Sequence, residues 1–135
     1  MALRPFHVLV AGHGQLAASM VGAAEMICGA LPGVSAIGLE PGESPEGFEA
    51  RLRAQIGHDQ STLILADLHG GTPSNVASAL ARADERLRVI AGANLGLLIE
   101  AVTCTDELDD AMIERLVRLA REAVVDASTQ LGTRP

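Results

Sequence analysis

The chain has no Trp and no Tyr, and its only Phe residues are Phe6 and Phe48. Aromatic platforms on which bases or sugar rings could stack are missing, which argues against direct sugar recognition by this chain. Cysteine is scarce too: Cys28 and Cys104 lie far apart, without a CxxC spacing, inside apolar helical patterns. They read as buried free thiols, not as a disulfide or a metal site. No apolar run approaches the roughly 20 residues that span a bilayer, and the N-terminus lacks the basic, apolar and small-residue series of a signal peptide. These absences predict a cytoplasmic protein without membrane insertion. Clusters of Lys and Arg are also lacking, and a formal charge of -7 with a pI near 4.9 points away from nucleic acid, whose phosphates select such clusters. Partners are expected to be proteins or small molecules.

What the chain does have is hydrophobic substance, 48% of its 135 residues. That suffices for one core and is too short for two ordinary domains, so 1–135 reads as a single domain. His7 to Ala11 is short, apolar, partly β-branched and closed by a glycine, the pattern of a buried parallel strand. From Gln15 to Gly29 apolar positions recur at helical spacing, with Gly29 as the stop. Val34 to Leu39 predicts a second strand, Pro45 to Ile56 a polar-faced helix, and Thr62 to Ala66 a third strand running into Asp67. Ser74 to Ala83 predicts a helix, Arg88 to Ala91 a fourth strand, Asn94 to Thr103 a fifth apolar segment, and Asp106 to about Ser128 a long amphipathic helix. Strands alternating with helices imply right-handed crossovers, hence an α/β, doubly wound, mainly parallel sheet with helices on both faces.

Ligands of such sheets sit beyond the carboxyl ends of the strands. Two stretches fall there: Gly12-His13-Gly14 after strand one, and Asp67-Leu68-His69-Gly70-Gly71-Thr72-Pro73 after strand three. His13, between a strand and a helix, suits a nucleophile. The positive helix end disfavours imidazolium and would stabilise an attached phosphate. Asp67 could accept from Nδ1–H and leave Nε2 to attack. Gly14, Gly70 and Gly71 allow amides to approach an anion, and the Thr72 hydroxyl adds a donor. Each piece also has a plainer reading: His13 as a turn residue, Asp67 as a helix cap, and the Gly-Gly-Thr-Pro stretch as a tight turn. His69 reads as a loop or partner-contact residue, with a second titrating group in the crevice as the alternative; His7 reads as structural and His58 as solvated. Gly12-His13-Gly14-Gln15-Leu16-Ala17 also fits the G-x-G-x-x-A dinucleotide fingerprint, with Glu40 as a ribose acceptor. That alternative leaves the second stretch without a purpose.

Taken together, the His13-Gly14 strand end, Glu25-Met26-Ile27 before Gly29, Pro41-Gly42-Glu43, the D-x-x-GG-[ST]-P-x-N pattern from Asp67 to Asn75 and the VIAGxNxxxLIE pattern from Val89 to Glu100 resemble one family. It is the enzyme IIA domain of the mannose, fructose and sorbose class of sugar phosphotransferase systems. The resemblance implies a homodimeric phosphocarrier needing no metal or cofactor. In it His13 would be phosphorylated by the carrier protein HPr, Asp67 would be its partner, Thr72 would lie near the phosphate, and a IIB component would take the group for sugar uptake. With no fused IIB segment after the last helix, the acceptor is expected to be a separate chain. A stand-alone regulator that signals by phosphorylation state is the other use the resemblance allows. His69 departs from the aromatic residue often found in transporter members. The resemblance also implies an exchanged antiparallel edge strand near the C-terminus, where Glu122 to Thr129 fits helix and strand equally.

Overall fold

Branched and apolar runs build four parallel strands, β1 (Phe6–His13), β2 (Val34–Leu39), β3 (Ser61–Ala66) and β4 (Leu87–Ala91), in the order β2-β1-β3-β4. The structure is a computed structural model and describes residues 4–129. The central strands are covered on both faces, so they carry no polar alternation: Val8, Leu9, Val10, Leu63, Ile64 and Leu65 are each at most 1% exposed. Successive side chains still part to opposite sides. Phe6, Val8, Val10, Leu63 and Leu65 pack with α1 (Leu16–Cys28), α4 (Leu95–Thr103) and α5 (Asp110–Glu122). Leu9, Ala11, Ile37 and Ile64 pack with α2 (Pro45–Gln55) and α3 (Thr72–Ala83). This is the doubly wound α/β arrangement that the alternation of elements predicts.

Short polar side chains set several helix starts by satisfying orphan amides. Ser44 accepts from the Gly47 amide at 3.0 Å ahead of Pro45, Asn94 from Leu97 at 2.8 Å, and Asp109 from Met112 at 2.9 Å. On the inner side of α2, Phe48 and Leu52 are both fully buried against the sheet and α3. Phe48→Ala is expected to cost about 3–5 kcal/mol, read as a lower urea midpoint at unchanged slope. A loss under about 1 kcal/mol would mean that the cluster collapses around the missing ring.

The structure types one open segment and corrects two expectations, the extent of the last helix and the burial of Cys28. The fifth apolar segment is a helix, α4: Asn94 caps its start and α1 and α5 pack on it, so it is buried on several sides. The last long helix is shorter than 106–128. Asp109, not Asp106, caps it, and beyond Glu122 the side chains of Val124 and Val125 are 77% and 56% exposed, with no core to hold a further turn. Asp126 instead takes the Ser128 amide at 3.0 Å and leads into a 3-10 turn at Ala127–Thr129. Within this single chain no strand forms over Glu122–Thr129, and residues 130–135 lie outside the described ones. Cys28 is exposed, not buried, because the last turn of α1 faces outward, with Met26 and Ile27 89% and 62% exposed. Cys104 is buried against Met112. No helix among the described residues is long and apolar enough to cross a membrane.

Candidate functional site

Strand order places β2 on one side of β1 and β4 on the far side of β3, so the crossovers diverge where β1 and β3 end. The pairing Ala11 with Ala66, extended by the Asp67 amide donating to the Ala11 carbonyl at 3.0 Å, sets Asp67 beside the last residues of β1. One carboxylate oxygen, Asp67 Oδ2, accepts the His13 backbone amide at 2.9 Å and lies 2.9 Å from His13 Nδ1. The Asp67 side chain is 9% exposed and that of His13 46%. An ionised carboxylate only accepts, so Nδ1 carries the proton and the Nε2 lone pair is free. The approach is close because residue 12 is glycine: a Cβ there would stand 3.1 Å from Asp67 Oδ2.

The second stretch folds as a tight loop onto the same ring. The Gly71 amide donates to the Leu68 carbonyl at 3.1 Å, and Gly70 turns through φ +89, a conformation that glycine alone adopts freely. Asn75 Nδ2 holds the Gly70 carbonyl at 3.1 Å. Gly71 then opens α3 without any side-chain cap, and Pro73 in the first turn removes one donor. A Cβ on Gly71 would come within 2.9 Å of His13 Cε1 and 3.4 Å of Nε2. The uncapped amide end of α3 therefore abuts the open edge of the imidazole, a placement that favours negative charge beside Nε2. The start of α3 thus lies against the ring, as the glycine pair ahead of it in the sequence suggests. Thr72, half-buried, is the first residue of α3, and Gly14 forms the turn after His13 with φ +58.

The strand runs through His13, which pairs with Leu39 on β2, two residues past the Ala11 end that the apolar run predicts. The two-sided role of Asp67 and the supporting roles of Gly12 and Asn75 went unread, although the D-x-x-GG-[ST]-P-x-N pattern already contained Asn75. Among the described residues no cluster of three or more His, Cys, Asp or Glu could hold a metal.

Residues 7–120 match the family described as "PTS system fructose IIA component", the IIA proteins of the mannose class. The chain belongs to this family. It is 33% identical over 131 residues to the mannose-specific EIIAB component of Escherichia coli strain K12, covering 95% of this chain but only 40% of that longer protein. The sorbose-specific EIIA component of Klebsiella pneumoniae is 32% identical, with 88% of this chain and 90% of that one aligned. Among solved structures, the EIIA component from Streptococcus agalactiae superposes with a TM-score of 0.85 at 30% identity, over 92% of this chain and 98% of that one.

Membership in the IIA family displaces the dinucleotide alternative, and the geometry gives the physical reason. The Asp67 carboxylate sits 2.9 Å from the His13 amide, inside the G-x-G-x-x-A turn, where its charge would repel a pyrophosphate. The remaining histidines of this IIA protein lie elsewhere. His7 is half-buried within β1, and His58 is exposed between α2 and β3. His69 is exposed and lines a groove of about 620 Å³ with Ser74, Ser78, the end of β4 and α5; neither His13 nor Asp67 borders that groove.

Proposed function

We propose that this IIA protein is a phosphocarrier that takes a phosphoryl group from phospho-HPr onto His13 Nε2 and passes it to a separate IIB component for sugar uptake. The single observation that carries this reading is Asp67 Oδ2 gripping both the amide and the Nδ1 edge of a half-exposed histidine. In the first transfer the Nε2 lone pair forms a bond to phosphorus as the bond to the HPr histidine breaks. Asp67 keeps the proton on Nδ1 and offsets the positive charge that grows on the ring. Gly70, Gly71 and Thr72, at the amide end of α3, would hold the phosphoryl oxygens, with Gly14 on the other side of the ring. The second transfer reverses these steps toward the acceptor. The chemistry is positioning plus charge stabilisation, and no cofactor or metal enters it. The carrier is expected to work in the cytoplasm as a homodimeric single domain, in a system of the mannose or sorbose type that its relatives are named for.

Incubation of the chain with phosphoenolpyruvate, enzyme I and HPr tests the reading. Phosphate should appear on the protein and be released by acid but not by base, since a phosphoramidate hydrolyses once its nitrogen is protonated. No uptake, or an acid-stable label, would overturn it.

A further inference from the structure

The Pro41-Gly42-Glu43 turn has no part in the chemistry above, yet its carboxylate is tied into the end of β2. Glu43 Oε1 accepts the Glu40 amide at 3.0 Å, and Arg51 Nη1, on α2, reaches both Glu43 oxygens at 2.8 and 3.0 Å. The same nitrogen donates to the Gly38 carbonyl at 3.0 Å. Among the described residues β2 is an edge strand, paired with β1 alone, so this carbonyl faces no strand there and Arg51 serves in its place. The hydrogen bond from Glu40, and then the guanidinium, hold the Glu43 carboxyl below its usual range, so the pair stays charged at neutral pH.

Gly38 lies opposite Gly12 in the β1–β2 register, and Leu39 opposite His13. The Gly14 amide donates to the Leu39 carbonyl at 2.9 Å, while φ +58 swings the Gly14 carbonyl back over residue 38. A Cβ on Gly38 would stand 2.0 Å from that oxygen, a separation that side chains essentially never show. The turn cannot yield cheaply: the Gly14 amide is tied to β2 and the His13 amide to Asp67.

We propose that the end of β2 is the seat of the phosphoacceptor turn, with Gly38 as a positioning residue and the Glu43–Arg51 pair as the clamp that fixes it. The seat sets where the ring of His13 stands relative to Asp67 and the start of α3. Any side chain at position 38 pushes the 13–14 main chain by about 1 Å, and a shift of that size is worth about 10²-fold in a positioned reaction. The inference rests on the reading of His13 as phosphoacceptor only for its kinetic arm.

The test compares the parent with Gly38→Ala, Arg51→Ala and Arg51→Lys in two measurements, with circular dichroism to confirm the fold. In the unphosphorylated protein, nitrogen NMR signals of the His13 ring should move in Gly38→Ala and Arg51→Ala and return toward the parent in Arg51→Lys. At saturating phospho-HPr, transfer should fall about 10²-fold in Gly38→Ala. It should fall about tenfold in Arg51→Ala, the worth of one charge-assisted hydrogen bond, with half-saturation unchanged. Parental ring signals and rate in folded Gly38→Ala would overturn the inference, as would a change in half-saturation alone, which marks a docking residue. If Gly38→Ala does not fold, parental signals and rate in Arg51→Ala overturn it equally. A parent protein that accepts no phosphate would fail the functional reading, while the ring signals still decide the seat.

Discussion

His13→Ala is expected to take up no phosphate from phospho-HPr over times that fully label the parent, with its secondary structure unchanged. The loss should be complete because no other histidine is set up for the reaction. His7 is half-buried in a strand, His58 and His69 are exposed on loops, and His13 alone among the described histidines stands within ion-pair distance of a carboxylate. The fold should survive because the ring is about half exposed and contributes little to either core cluster. Label recovered on the Ala variant would move the phosphoryl site to another residue and with it the whole proposed route.

Asp67→Asn should slow the same transfer by about 10²–10⁴, the upper end being the loss that a wrong tautomer causes in a hydrolytic triad. An amide cannot serve both needs of this position. With its oxygen toward His13, its NH2 occupies the place of Oδ1, which is buried without a hydrogen-bond partner; donors stranded there cost about 1–3 kcal/mol. With its nitrogen toward His13, it faces the backbone amide and the protonated Nδ1, and the ring is driven to the tautomer that carries its proton on Nε2. In both orientations the negative charge that offsets imidazolium is gone. Rapid-quench measurement at saturating donor, with circular dichroism as the control for folding, checks this. A parental rate would leave Asp67 as no more than an acceptor for the His13 amide.

Much of the fold was legible because buried parallel strands are continuous apolar runs, and β1, β3 and their helices show this plainly. Asn94 to Thr103 stayed untyped for a related reason: a helix buried on several sides has no polar face, so its period disappears, and only the Asn94 cap marked it. The C-terminal overrun came from Val124 and Val125, which continue an apolar pattern but find no surface to cover. The helix cap falls three residues later than Asp106 because it is Asp109 whose side chain takes the Met112 amide. At the site, the glycines around His13 and the carboxylate ending β3 could be read, since neighbouring strand ends meet at a switch point. The contact between Gly71 and the ring could not, because it depends on how α3 leaves its strand. Nor could the role of Gly38, whose missing side chain matters only through an oxygen 24 positions away in the chain.

The carboxylate oxygen that holds both the amide and the ring of His13 leaves the imidazole one open nitrogen and little freedom to swing. On the proposed reading, the protein that delivers the group and the protein that removes it must come to the same atom from the same direction. Each visit excludes the other, so the carrier works as a turnstile: it serves the two in turn, and a crowd of either one blocks the way for its counterpart.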